Sequence, residues 1–132
     1  MENGFTAVRW APFAEGFERK RLSSVIEDAV SQVRAVREAI GNGVDICLDI
    51  HGRLSPWEAI ALAKELERFR VFFLEDPVLP ENVAAMAEVA AKVSIPIATG
   101  ERLYTIWSFS ELLEKRAAHM VRPDLCLAGG VS

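Results

Sequence analysis

The sequence predicts an α/β chain of repeated strand-helix units with parallel strands, and three observations predict it. Apolar runs of strand length recur: Val44-Asp45-Ile46-Cys47-Leu48, Val71-Phe72-Phe73-Leu74 and Ile95-Pro96-Ile97-Ala98-Thr99-Gly100. They have the near-continuous apolar character of strands buried on both faces. A helical stretch fills every interval, which allows consecutive strands to run parallel. Each run also delivers an acid to its carboxyl end: Asp49, Glu75 and Glu101, at equal spacing (75 − 49 = 26; 101 − 75 = 26). Such strand ends assemble active sites in α/β barrels and open α/β sheets.

Thr6-Ala7-Val8-Arg9-Trp10 is the first strand candidate, closed by Ala11-Pro12, and a polar loop follows from Glu15 to Arg21. From Ser24 the positions Ile26, Ala29, Val30, Val33, Val36 and Ile40 keep helical spacing, with Gly41 and Gly43 as the stop. The second strand runs up to Asp49. Ser55-Pro56-Trp57-Glu58 then combines a cap hydroxyl, a proline at the first helical position and a glutamate three residues after the serine. Ile60, Ala61, Leu66 and Phe69 are read as the core-facing stripe of that helix. The third strand leads to Glu75, and Pro80-Glu81-Asn82 opens a helix through about Lys92. The fourth strand leads to Glu101. Ser108 and Glu111 have capping-box spacing and predict a shorter helix through about Arg116, before a fifth strand from His119 to Leu125. Trp57 and Trp107, early in their helices, are expected to anchor helix packing.

Composition sets the outer limits. With 132 residues, 51% hydrophobic and 26% charged, the chain is globular and about one domain long. A complete barrel of eight βα units typically needs about 250 residues. The expectation is therefore a partial TIM-type (β/α) barrel of about five parallel βα units. A net charge of −4 argues against nucleic acid or an anionic membrane surface as partner and favours a small molecule. The two cysteines, Cys47 and Cys126, are too few for a disulfide framework and are expected as core thiols in a reducing cytosol. The N-terminus lacks a basic and apolar leader, and no apolar run approaches the ~20 residues that span a bilayer, so a cytoplasmic, membrane-free chain is expected.

Three hard oxygen ligands from neighbouring strand ends suit Mg²⁺, which takes few protein carboxylates and keeps positions open for water and substrate. A metal so held can bind a substrate carboxylate and stabilise the enediolate formed when a base removes the neighbouring C–H proton. His51 lies two residues beyond Asp49, so an extended chain would project both side chains to one side. It is the candidate for proton transfer. Asp124, at the next strand end (124 − 101 = 23), suits either the orientation of a histidine from a further strand or the capping of its own turn. The only histidines are His51 and His119, and His119, at a strand start, is read as structural. Gly129-Gly130 fits a tight turn as well as a phosphate loop.

Four spaced segments sharpen this reading: Asp49-Ile50-His51-Gly52-Arg53, Leu74-Glu75-Asp76-Pro77-Val78, Ile97-Ala98-Thr99-Gly100-Glu101-Arg102-Leu103 and Arg122-Pro123-Asp124-Leu125. In this order they resemble the enolase superfamily, more narrowly the mandelate racemase/muconate lactonizing group and its D-galactonate dehydratase-like sugar-acid dehydratases, over essentially the whole chain. The resemblance implies Asp49, Glu75 and Glu101 as Mg²⁺ ligands and His51 as the general acid that protonates a departing β-hydroxyl. It implies Arg53 at the substrate end and Asp124 as the partner of a catalytic histidine on the following strand; Arg102 is a further substrate-contact candidate, and either arginine could instead pair with nearby acids as a packing element. It also implies that residues 1–132 are part of a C-terminal barrel domain, without the N-terminal capping domain and last barrel strands, in an enzyme that is homo-oligomeric when complete. Asp76 stands where relatives commonly carry glutamate, and Leu127 where close relatives usually carry histidine.

The implied reaction dehydrates an aldonic acid, with galactonate favoured over mannonate or gluconate, to a 2-keto-3-deoxy acid. Racemisation or epimerisation of an α-hydroxy acid would use the same metal ligands. A catalytically inactive metal-binding fragment is the alternative outside enzymes.

Overall fold

The computed structural model describes residues 4–130. The N-terminal reading of no leader rests partly on Met1, Glu2 and Asn3, which lie outside the described residues. Five strands, β1 (Ala7–Trp10), β2 (Asp45–Asp49), β3 (Val71–Glu75), β4 (Ile97–Thr99) and β5 (Met120–Val121), form one sheet in the order β1-β2-β3-β4-β5. Every neighbouring pair is parallel. Each strand lies beside the next in sequence, as in a barrel wall, whereas a doubly wound sheet reverses its order at a switch point. The crossovers are α1 (Leu22–Ile40), α2 (Pro56–Leu66), α3 (Val83–Lys92) and α4 (Ile106–Glu114).

Strand alternation divides the sheet into two faces. Ile46, Leu48, Leu74 and Ile97 join Val25, Ala29, Val30, Val33, Leu62, Leu66, Met86 and Val89 in the main core, between sheet and helices. Cys47, Phe73 and Ala98, with Met120 against them, form a small cluster on the other face. Asp49 and Glu75 continue that second row by period two, as do Arg9, the register partner of Cys47, and Arg122, two residues after Met120.

The helix starts follow local chemistry. Glu58 accepts from the Ser55 N–H at 2.8 Å and from Ser55 Oγ at 2.6 Å, and Pro56 opens α2 as the sequence predicts. Asn82 caps α3 by accepting from the Ala85 N–H at 3.0 Å. In α4 the cap is Thr105 rather than Ser108: Thr105 Oγ1 accepts the Ser108 N–H at 3.1 Å, and Glu111 pairs with Lys115 at 2.6 Å. Ser108 therefore lies one turn inside the helix that it was expected to begin. The buried stripe of α2 is Ala59, Leu62, Ala63 and Leu66, with Ile60 and Ala61 only half-buried.

Two strands are shorter than their apolar runs. Pro96 offers no N–H and serves the ladder only through its carbonyl, which accepts from Leu74 at 2.9 Å, so β4 starts at Ile97. After β5 the Arg122 N–H still reaches Thr99 O at 2.9 Å, and Pro123 then ends the pairing. Trp57 and Trp107 are 64% and 80% exposed, so neither indole anchors a helix. Cys47 is buried as expected, whereas Cys126 lies exposed in the turn after β5.

Candidate active site at the strand ends

Asp49 and Glu75 end β2 and β3 as direct register partners. They are 2% and 1% exposed, so each carboxylate must find a cation or several donors in place of water. Two arginines meet that demand. Arg9 Nε donates to Glu75 Oε2 at 2.6 Å while its Nη2 donates to Asp49 Oδ2, so one guanidinium bridges both acids. Arg122 Nη1 donates to the same Glu75 Oε2, with its guanidinium 5.5 Å from the centre of the Phe73 ring. The Arg9 pKa is raised above its ordinary value, first by the hydrogen bond to Glu75 against a desolvation cost, then by the charges of Asp49, Glu75 and Glu101.

His51 is brought to Asp49 by a turn, not by extended chain. Its φ of 56° lies in the left-handed region, and its N–H folds back to Asp49 Oδ1 at 3.1 Å. The ring then places Nε2 3.1 Å from Asp49 Oδ2 while remaining about half exposed. The turn is locked to the next strand by Ile50 N–H to Glu75 O at 2.9 Å and Gly52 N–H to Asp76 O at 2.7 Å. Asp76, 1% exposed, accepts from Thr99 Oγ1. Burial pushes its carboxyl up to about 6; the nearby charges of Glu101, Glu75 and Asp49 add to the rise and the Thr99 hydrogen bond opposes it.

Glu101 stands apart. The positions of β4 that share a face with Cys47 and Phe73 are Ala98 and, by alternation, Gly100, so Glu101 falls in the turn beyond them. It has no ion pair or side-chain hydrogen bond among the described residues, yet its charge acts on both Arg9 and Asp76. Among the described residues no three His, Cys, Asp or Glu side chains converge on one point as a metal cage. The donor chemistry nevertheless suits a hard cation: two buried carboxylates stand in register, and a third, Glu101, follows the neighbouring strand without an ion pair among the described residues. Gly100 fixes the approach of the last two strands. Its φ is 131°, and a Cβ there would stand 3.0 Å from Phe109 Cε1 and 3.2 Å from the Arg122 nitrogen.

The remaining predicted residues have other partners. Arg53 sits 5.8 Å over the Phe17 ring, and Arg102 pairs with Glu81 at the surface. Asp124 caps its own turn, accepting from the Cys126 N–H at 2.8 Å and the Leu127 N–H at 3.2 Å. Gly130 N–H closes that turn onto Leu125 O at 2.8 Å. His119 Nδ1 accepts the Ile97 N–H at 3.1 Å, at the opposite end of the sheet, in keeping with its structural reading. The sequence reading missed Arg9 and Arg122 as site residues, although alternation along β1 and β5 places both on the face that carries the acids.

A family model described as "Enolase C-terminal domain-like" matches residues 1–132, the whole chain. The chain belongs to this family. The D-galactonate dehydratase of Ralstonia pickettii (strain 12J) is 42% identical over 110 residues, covering 83% of this chain and 29% of the relative. That of Klebsiella pneumoniae (strain 342) is 41% identical over the same shares. The chain thus spans under a third of the length of these enolase-type relatives. A member of the enolase superfamily from Salmonella Typhimurium superimposes with a TM-score of 0.90 at 30% identity, covering 98% of this chain and 36% of that one. A Bradyrhizobium enolase, solved with magnesium and mandelic acid, gives 0.86 at 26% identity, covering 98% of this chain and 33% of that one. The five parallel strands and four helices match part of the TIM-type barrel of these neighbours, as the sequence predicts.

Proposed function

We propose that residues 1–132 are part of the catalytic barrel of a Mg²⁺-dependent sugar-acid dehydratase, which converts an aldonic acid, D-galactonate first, to a 2-keto-3-deoxy acid. The observation that carries the reading is the buried Asp49–Glu75 pair with the His51 imidazole against it, in a chain 42% identical to a D-galactonate dehydratase. Asp49, Glu75 and Glu101 would hold the metal, which when bound supplies positive charge to stabilise the substrate carboxylate as the neighbouring carbon loses its proton.

Within this reading the protein's own groups divide the work. A base takes the proton from the carbon beside the carboxylate, breaking that C–H bond. His51 gives a proton to the β-hydroxyl as its C–O bond breaks, water departs, and the resulting enol tautomerises to the keto acid. The half-exposed ring faces solvent on one side and Asp49 on the other, which suits an acid that must reach substrate while its orientation is held. His51 serves as the acid in this reading and His119 lies at the opposite end of the sheet, so the reading takes that base from outside these residues, with Asp124 to orient it. Arg53 and Arg102, on the loops just beyond the acids, would meet the distal hydroxyls after leaving Phe17 and Glu81. A cytoplasmic site and a homo-oligomeric complete enzyme belong to the same proposal.

The test is a panel of galactonate, mannonate and gluconate given to the protein that carries this chain, with Mg²⁺ and then with chelator. Metal-dependent 2-keto-3-deoxy acid, fastest from galactonate, is expected. Epimerised aldonic acid without keto product would favour the racemase reading instead, and no turnover with any acid would favour an inactive metal-binding fragment.

A further inference from the structure

The two arginines that neutralise the acids approach from opposite sides. Arg9 comes from β1 and passes over β2 to reach Glu75 on β3, and Arg122 follows β5 and passes over β4 to the same Oε2 atom. The small side chains Cys47 and Ala98 share that face and leave room for the crossing. The result is a balanced quartet of two buried carboxylates and two guanidinium groups. Its contacts occupy Asp49 Oδ2 and Glu75 Oε2, so one oxygen of each acid is taken while the guanidinium groups remain in place.

The arginines are not held equally. Arg9 is the one that spans both Asp49 and Glu75, whereas Arg122 contacts Glu75 alone and lies over the Phe73 ring; their side chains are 42% and 39% exposed, so each guanidinium can reach solvent. We propose that Arg9 is an exchangeable internal counter-ion. It holds the Asp49–Glu75 pair neutral in the metal-free protein, and a divalent cation binds only by displacing its guanidinium toward solvent. Metal affinity is then the difference between two competing cations, and Arg9 sets it. This inference rests on the proposed Mg²⁺ site and adds the group that competes for it.

The experiment is calorimetric titration of Mg²⁺ into the metal-free protein carrying this chain, as wild type and as Arg9→Met, with melting temperatures recorded with and without Mg²⁺. Removing the competitor is expected to tighten Mg²⁺ binding by about tenfold or more. The metal-free melting temperature should fall, because two buried acids lose their shared partner, and the rise on adding Mg²⁺ should be larger than in wild type. Arg9→Lys, which keeps one positive charge but cannot span both acids, gives the same comparison if the methionine variant does not fold, with a smaller gain expected. Equal or weaker Mg²⁺ binding in the variants, beside measurable binding in wild type, would overturn the counter-ion proposal and leave the metal site standing. Absence of Mg²⁺ binding in every form would overturn both.

Discussion

At the scale of single residues, burial decides which acids matter. Asp49 and Glu75 sit at 2% and 1% exposure and cannot remain charged without a cation beside them, whereas Glu101 in its turn can be solvated. On the proposed reading, Glu75→Gln and Glu101→Gln should each weaken Mg²⁺ binding by about tenfold or more and abolish dehydration. Full turnover in both variants would remove them as ligands. The two thiols give a second, independent check. Burial first, then the charge of Asp45, raises the Cys47 pKa, so that thiol should resist a maleimide in the folded protein while exposed Cys126 reacts. Mass spectrometry of the singly labelled chain should find the adduct on Cys126 alone; labelling of Cys47 at a matching rate would contradict the packing of the inner face. Asp49 and Glu75 stood out as polar residues ending apolar runs, and His51 by its place two residues after Asp49. Arg9 and Arg122 were not, because a lone arginine in or after a strand run reads as a solvated position until the neighbouring strands show which face it joins.

At the scale of elements, the interval rhythm predicted all five strands and all four α-helices, with the ends of β2, β3, α1 and α3 where expected, but it missed the limits of β4 and β5 and the start of α4. The apolar runs around β4 and β5 extend beyond the ladder because prolines at 96 and 123 remove donors, a backbone effect that hydrophobicity alone does not report. The start of α4 was placed three residues late because Ser108 has capping-box spacing to Glu111, whereas in the fold Thr105 supplies the cap hydroxyl to the Ser108 amide. One link between elements could not be foreseen. Arg37, near the end of α1, donates to the carbonyls of Gly41, Val44, Phe69 and Arg70 at 2.7–3.1 Å, tying the loop before β2 to the turn before β3. Arg37→Ala should cost about 2 kcal/mol of stability in chemical denaturation, the scale of a charged donor lost to backbone carbonyls. A loss no larger than that of an ordinary surface substitution would show that the clamp contributes little.

At the scale of the whole molecule, the two outer strands of the sheet, β1 and β5, have no strand partner on one side among the described residues. Phe72, Tyr104, Ile106, Trp107, Leu125 and Leu127 are exposed as well. Unpaired strand edges and contiguous apolar surface promote association. The isolated 132-residue chain should therefore associate or aggregate in light scattering, and a sharp monomer across a concentration series would count against this. The barrel-wall order was legible from the regular alternation of strand and helix. The arginine-neutralised floor of the site was not, because it depends on contacts between residues 66 and 47 positions apart, from Arg9 and Arg122 to Glu75.

On the proposed reading, His51 drives departure of the hydroxyl while a different group removes the α-proton. That reading is tested most directly by His51→Asn in the protein that carries this chain, incubated with Mg²⁺ and D-galactonate in D₂O. Mg²⁺ is expected still to bind, and deuterium to enter the galactonate at the carbon beside the carboxylate, with no 2-keto-3-deoxy acid formed. Keto acid produced at the wild-type rate would contradict it.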